Sequence, residues 1–412
     1  MKILFSVGGC LRQNSSANLC HSAYIRGCIE NGHTVDVISL SDRDCQIDKS
    51  ISLPHARNWY YYNGAVYSHL ASLSSKHRVS DSPTNKSVDI AKPSMKSRLI
   101  KVLKDKVVSL YGVYGLEKGW VRNARRFSSN EVYDLVISLA TPPASHLLIR
   151  QLIHAGRIKT KYWCQIWEDP WASELYVDKK LSKKRVAERK IVACADKVLY
   201  VSPLTLEYQK KLYPESAGKM DWVPLPYYYK EEGEKREGIG IKRNPLLGYY
   251  GDYDPKIRNL EPFYRAVRDL NLQANIFGNP AGLFQSTEKI HVSPRVSLQT
   301  LSLAEKETDI LVFLCNLKGG QIPGKIYQYS ATSKPILFIL DGTEAEKEAL
   351  KKYFRVFDRY VFCENTEEAI QEAITKMIDH KQDDTRIINR VVEDFSPANI
   401  AKEIIDCCCR ND

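Results

Sequence analysis

The run GGQIPGKIYQYSATSKPILFI, Gly319 to Ile339, carries the residue types of an anion cradle. Gly319, Gly324 and Lys325 fit the spacing G-x-x-x-x-G-K, in which a glycine-rich turn wraps a phosphate chain and a lysine meets its charge. The next residue, Ile326, has no oxygen for Mg²⁺, and Pro323 removes a backbone N–H from the turn. A P-loop nucleoside triphosphatase is therefore not expected. What remains is a strand, DILVFLCN (Asp309 to Asn316), ending in a glycine-rich loop that opens a helix. Free N–H groups and the helix dipole attract anions at such a place; a plain strand-to-helix turn is the alternative.

The elements that must position this loop alternate along the chain. KILFSV is a strand, Ser15 to Gly32 a helix, and HTVDVISL a second strand, which makes a right-handed parallel βαβ unit. The alternation resumes with DLVISLA, SHLLIRQLIHAG, TKYWCQIW, a helix over Leu181 to Cys194, and DKVLYVS. A second series runs through PLLGYYG, QANIFG, KIHV, DILVFLCN and KPILFIL into terminal helices. The expected fold is α/β, with two tandem doubly wound Rossmann-like domains facing a cleft. The domains are placed at 1–225 and 245–412, joined by a polar linker at 226–244, and the first carries a basic insertion at about 74–129. Within the insertion, Leu99, Ile100, Leu103, Val107 and Leu110 share one helical face, while Arg98, Lys101 and Lys104 lie opposite. Such a helix, over residues 96–110, could lie on an anionic membrane surface or dock by its apolar side on the first domain.

Composition narrows the class of partner. The 412 residues are 43% hydrophobic and 26% charged, as in soluble two-domain proteins. No apolar run approaches the roughly 20 residues of a membrane span, and Lys2 followed at once by a strand does not read as a signal peptide. A cytoplasmic protein, peripheral on the inner membrane face if the basic helix binds lipid, is expected. The 11 cysteines are scattered and include no C-x-x-C pair, and the consecutive Cys407, Cys408 and Cys409 point in different directions on a helix. A reduced compartment and no metal site are expected. The net charge of +11 favours an anionic partner such as a nucleotide or a lipid phosphate; nucleic acid has only that charge behind it and is not expected.

The order of motifs resembles the GT-B glycosyltransferases, in particular glycosyltransferase family 4, over nearly the whole chain. DLVISLATPPASHLL followed by YWCQIWEDPW looks like the family's strand ending in Pro-Pro-x-x-x-His and its strand ending in Asp-Pro-Trp. ADKVLYVSPLTLEYQKKLYP is similar to the elements before the linker, and LLGYYGDYDPKIRNLEPFYRAV to the first strand and loop of the donor domain. IPGKIYQYSATSKPILF matches the donor loop, with Lys325 in its lysine position. The resemblance implies transfer of a sugar from a nucleotide-sugar donor to a surface glycan, lipid-linked and with retention, without a metal and without a cofactor beyond the donor as substrate. A catalytically weak or inactive sugar- or nucleotide-binding protein on the same frame is the alternative. A nicotinamide-dependent dehydrogenase ranks last, because no G-x-G-x-x-G follows a strand.

Site residues follow from that resemblance and from chemistry. A departing nucleoside diphosphate gathers negative charge, so Lys325 and Arg258 are expected to stabilise it. Donor contacts are expected from Gly251, Lys256, Gly320, Ile322, Gly324 and Gln328. Two positions depart from the family: Asp252 stands in the usual place of an arginine, and Gln328 in that of the glutamate that holds the donor ribose, whose earlier acidic partner falls at Gly320. On the acceptor side, Asp169 and Glu168 end a strand, where a carboxylate could orient or deprotonate a hydroxyl, and His146 begins a helix and could meet sugar or phosphate. Asp169 before Pro170 also suits a turn, and His146 a helix cap. Gly8 and Gly9 end the first strand and could admit donor or acceptor to the backbone.

Overall fold

The computed structural model describes residues 1–65, 112–172, 180–230, 242–280, 282–318, 320–379 and 390–409. The basic helix expected over 96–110, Gly319 and most of the linker lie outside them. Two wholly parallel sheets organise the chain. The first has the order β3-β2-β1-β4-β5-β6-β7, with β1 Lys2–Val7, β2 Thr34–Leu40, β3 Asn58–Tyr62, β4 Val132–Ala140, β5 Lys159–Trp167, β6 Lys197–Tyr200 and β7 Met220–Trp222. The second has the order β10-β9-β8-β11-β12-β13, with β8 Leu246–Tyr250, β9 Gln273–Phe277, β10 Ile290–Ser293, β11 Ile310–Leu314, β12 Ile336–Leu340 and β13 Tyr360–Glu364. Both sheets reverse direction of winding between their first and fourth strands, β1/β4 and β8/β11, and ligands bind beyond the carboxyl ends at such switch points.

The central strands are apolar throughout because helices cover both faces. ILVFL of β11 and ILFIL of β12 are buried at every position, and β1 is buried beyond Lys2. The helix Ser16–Glu30 begins where Ser15 caps it by accepting from the Asn18 N–H. Part of the basic insertion belongs to the first core: Trp120, Val121 and Ala124 of the helix Glu117–Ala124 pack with Leu148 and Leu152 of the helix Ala144–His154.

The terminal helix departs from expectation. Pro397–Cys409 does not stay with the second sheet but lies on the helix Ser16–Glu30 and reaches β5 and β6. The contact is close: a Cβ on Gly27 would lie 1.9 Å from the Pro397 carbonyl oxygen, and Asn31 donates to the Ala398 carbonyl at 2.8 Å. One apolar cluster therefore runs from Ile3 and Tyr24 through Leu225 and Ile404 to Phe338 and Phe354. The two sheets share this cluster and are not independent bodies joined by a linker alone. Among the described residues no helix is long and apolar enough to cross a membrane.

Candidate functional site

A cleft of about 780 Å³ opens where the carboxyl ends of the two sheets meet. The first domain contributes Asn14, Ser15, Ser16 and Leu19, from the loop after β1 and the start of the helix it feeds. The second contributes the loop after β8 from Gly251 to Arg258, the turn at Asn279 and Pro280 after β9, Arg295 and Val296 after β10, and Pro323 to Lys325. Tyr250, Phe277 and Leu301 form an apolar wall on one side, and Arg258 and Lys325 bring cations.

Lys325 opens a helix of only five residues, Lys325–Tyr329, so little macrodipole stands behind the loop and its side chains must carry the charge. Its ammonium lies 2.8 Å from the Glu305 carboxylate and 5.6 Å from the centre of the Tyr329 ring. Burial works against that charge, but the Tyr228 hydroxyl and Glu305 outweigh it, and the lysine is held above its ordinary pKa. It stays protonated. Arg258 is fixed by two neutral oxygens, its Nε donating to Asn316 Oδ1 at 2.7 Å and its Nη1 to the Asp252 carbonyl at 3.1 Å. Its charge is thus oriented without being neutralised by a carboxylate at that contact. Lys256, the other cation of this loop, is exposed and does not line the cleft.

Asp252 does not stand as an uncompensated charge. Arg295 grips both of its carboxylate oxygens, and the Asn279 N–H donates to the same carboxylate at 3.0 Å. Burial would raise the Asp252 pKa, but the Arg295 guanidinium holds the carboxyl below its ordinary value. The chain thus keeps a guanidinium near the place where the family resemblance puts an arginine, supplied from a different loop.

Several expected contacts are corrected. Gln328 does not face the cleft: its Oε1 accepts from the Tyr228 and Tyr229 N–H groups at 3.1 and 3.2 Å, and its Nε2 donates to the Tyr229 carbonyl at 2.9 Å. A neutral amide suits that task because it pairs with donors and an acceptor of one backbone segment, which a carboxylate cannot do. Ile322 is buried in the shared core. Gly320 has φ +65, and its carbonyl accepts from Ser202 at 2.6 Å and Thr205 at 3.5 Å, so it pins the loop to the first domain. Gly251 and Gly324 do line the cleft.

The acceptor-side residues separate. Asp169 is open to solvent and accepts from Gln321 Nε2 at 2.8 Å, a bond that crosses between the domains. Although part of its side chain reaches solvent, protein crowded around the inner side of the carboxyl desolvates it, and that effect first, then the adjacent Glu168 carboxylate, push it up to about 6, while Arg258 pulls the other way. Glu168 points inward, 3.4 Å from Nε2 of the fully buried His21. His146 is 0% exposed, hydrogen-bonded to Ser138 Oγ at 2.7 Å and packed on Trp167 at 4.4 Å, and burial with His21 nearby pushes it down to about 3. It is a neutral core residue, not a substrate contact. Gly8 and Gly9 are small for packing: a Cβ would lie 2.7 Å from Pro142 Cγ and 2.4 Å from Asn18 Oδ1 respectively. Among the described residues no group of three or more His, Cys, Asp or Glu is placed to share a metal ion.

Sequence reading missed Arg295, Glu305, Asn316 and Gln321. Asn316 precedes the quoted loop and Gln321 lies within it, and their position after β11 was the available signal; Arg295 and Glu305 gain meaning only through partners distant in sequence.

No family model and no curated protein matches the sequence. Solved structures match over the full length. The catalytic domain of starch synthase IV from Arabidopsis thaliana, bound to ADP and acarbose, aligns with a TM-score of 0.59 at 11% identity, covering 99% of this chain and 98% of that one. Sucrose-phosphate synthase from Thermosynechococcus elongatus aligns at 0.53 and 12% identity, covering 98% and 94%. Anabaena HepE, in complex with UDP and glucose, aligns at 0.52 and 11% identity, covering 99% and 97%. With both sheets, their order and the cleft in common view, the likeness shows that this chain has the two-domain GT-B fold.

Proposed function

We propose that the protein is a glycosyltransferase that moves a sugar from a nucleoside diphosphate donor to a glycan acceptor. The observation that carries this reading is the cleft itself, where Lys325 and Arg258 face an apolar wall of Tyr250, Phe277 and Leu301 at the carboxyl ends of the second sheet. A nucleoside diphosphate needs both parts, an apolar surface for its base and fixed cations for its phosphates. The solved relatives that hold ADP or UDP have the same fold, which supports this assignment of the cleft.

In the proposed reaction the bond from the sugar C1 to the phosphate oxygen breaks and its electron pair stays on the diphosphate. Lys325 and Arg258 stabilise that growing charge and need no metal to do so. The acceptor oxygen bonds to C1 from the same face, and its proton passes to the departing phosphate, so the anomeric configuration is retained. Asp169 orients the acceptor hydroxyl by accepting its hydrogen bond. A surface glycan on a lipid carrier is the proposed acceptor, met at an anionic membrane through residues 96–110.

Thermal stabilisation by a panel of nucleotide sugars tests the reading, because a ligand of the folded state raises the melting temperature. One or more donors is expected to stabilise the protein and to be turned over; no stabilisation by any would overturn the assignment. Stabilisation without transfer would favour the binding-protein reading. The role of Gln328 as a backbone clamp is the observation on that side, since it leaves no carboxylate for the donor ribose at that position.

A further inference from the structure

Between Asp169 on the first domain and Arg258 in the cleft, the structure contains an unbroken series of hydrogen bonds. Gln321 Nε2 donates to Asp169 Oδ1 at 2.8 Å. The backbone carbonyl of the same Gln321 accepts from Asn316 Nδ2 at 3.3 Å, and Asn316 Oδ1 accepts from Arg258 Nε at 2.7 Å. Only the first link joins the two sheets; the second is side chain to backbone within the loop after β11, the third joins that loop to the one after β8, and the loop carrying Gln321 is anchored at Gly320 to Ser202.

We propose that Gln321 is a positioning residue that couples occupation of the cleft by a diphosphate to the availability of Asp169 for an acceptor hydroxyl. Without a ligand, the Gln321 amide holds Oδ1 of Asp169 and so fixes the direction in which the carboxylate presents its remaining lone pairs, turned toward the second domain. A diphosphate drawing on Arg258 competes for the guanidinium, loosens its bond to Asn316 and so slackens the hold on the Gln321 carbonyl. The amide then leaves Asp169. An acceptor hydroxyl is thus held by Asp169 only after the donor has bound. The inference rests on the reading of the cleft as a nucleoside diphosphate site, but it concerns a different step.

Asp169 reports on the coupling directly. The groups that face it are Glu168 on its own loop, with His21 behind, Arg258 from the loop after β8, and Gln321 from the loop after β11. Loss of an N–H donor and of an engaged cation both raise a carboxyl pKa. The titration of Asp169 is followed by carbon NMR of its Cγ signal, assigned by its loss in Asp169→Asn, with and without saturating UDP or ADP. Binding is measured separately by calorimetry. In the native protein the nucleotide is expected to raise the Asp169 midpoint by about one pH unit, a tenfold change in proton affinity. In Gln321→Ala the midpoint starts higher and the nucleotide moves it by less than half as much, with binding retained; Gln321→Asn, which keeps the amide on a shorter stem, is a control for local disruption and recovers part of the response. Binding of neither nucleotide would defeat the cleft assignment and this inference together. Binding with no shift in the native protein, or with an equal shift in Gln321→Ala as a purely through-space effect of phosphate charge requires, overturns the coupling and leaves the cleft assignment standing.

Discussion

Replacing Lys325 by alanine removes a protonated amine from the cleft and leaves Glu305, its partner at 2.8 Å, as an uncompensated carboxylate behind the cleft wall. A cation about 4 Å from a phosphate oxygen, at an effective dielectric of about 20, interacts by about 4 kcal/mol. Glu305 already draws on the ammonium, so the usable share is smaller, and loss of one such group at a developing charge typically costs about 2.7–4 kcal/mol, or about 10²–10³ in kcat. Lys325→Ala is therefore expected to lower transfer by that factor and to weaken nucleoside diphosphate binding as well. The fold should persist, because the side chain is partly exposed and its loss opens no core cavity. The structure adds a second expectation. In Lys325→Ala/Glu305→Gln the uncompensated carboxylate is gone, and binding should recover several-fold relative to the single variant, less than the loss at Lys325 because Glu305 stands behind the cleft wall, farther from the phosphates. Calorimetry with UDP and ADP, initial rates and a melting curve measure all three quantities. Native rates and affinity in Lys325→Ala would refute the reasoning, and a double variant no better than the single one would remove Glu305 from it.

Other outcomes follow from the same geometry. Asp169, pushed up to about 6 in the free protein, orients a hydroxyl only when ionised, so kcat/KM for the donor is expected to fall about tenfold per unit as pH drops below 6, and Asp169→Asn should lack that limb in a pH–rate profile. Gly27→Ala drives a methyl against the Pro397 carbonyl and is expected to destabilise by about 1–3 kcal/mol, seen as a lower melting temperature and faster proteolysis of the terminal helix. Transfer should survive EDTA, and complete loss restored by Mg²⁺ or Mn²⁺ would count against cation-only stabilisation of the diphosphate. Changing Arg98, Lys101 and Lys104 together to Glu is expected to release the protein from anionic vesicles in a sedimentation assay, at about 1 kcal/mol per charge; unchanged sedimentation would rule out a membrane role for these residues.

The sheets were legible where burial on both faces imposes an unbroken apolar run, as in β11 and β12, and where a turn residue such as Gly32 or Gly278 closes an element. The strands NWYYY and MDW were not, because each sits at the edge of its sheet, is short, and mixes aromatic with polar residues. In the site, Lys325 and Arg258 were legible from their place after strand ends. Gln328 was misread because its partners, the backbone at Tyr228 and Tyr229, lie about a hundred residues earlier. Asp252 looked like a defect for a similar reason: its guanidinium partner comes 43 positions later, on the loop after β10. His146 has the residue type of a catalytic group, and only its position on the inner side of its helix makes it a core residue.

The return of Pro397–Cys409 to the first domain has a consequence for synthesis. Ribosomes build a chain from its amino end, and the seven strands of the first sheet are complete once Trp222 has emerged. The wall that covers the helix Ser16–Glu30 is made last. At roughly 5–20 residues per second, the interval is about 10–40 s. During that time Tyr24, Ile25 and Cys28, all buried in the finished protein, lack their final cover. The nascent first domain thus shows an apolar helix of the kind chaperones shield, and premature termination between Trp222 and Pro397 yields a sheet with a sticky flank, not a smaller working protein.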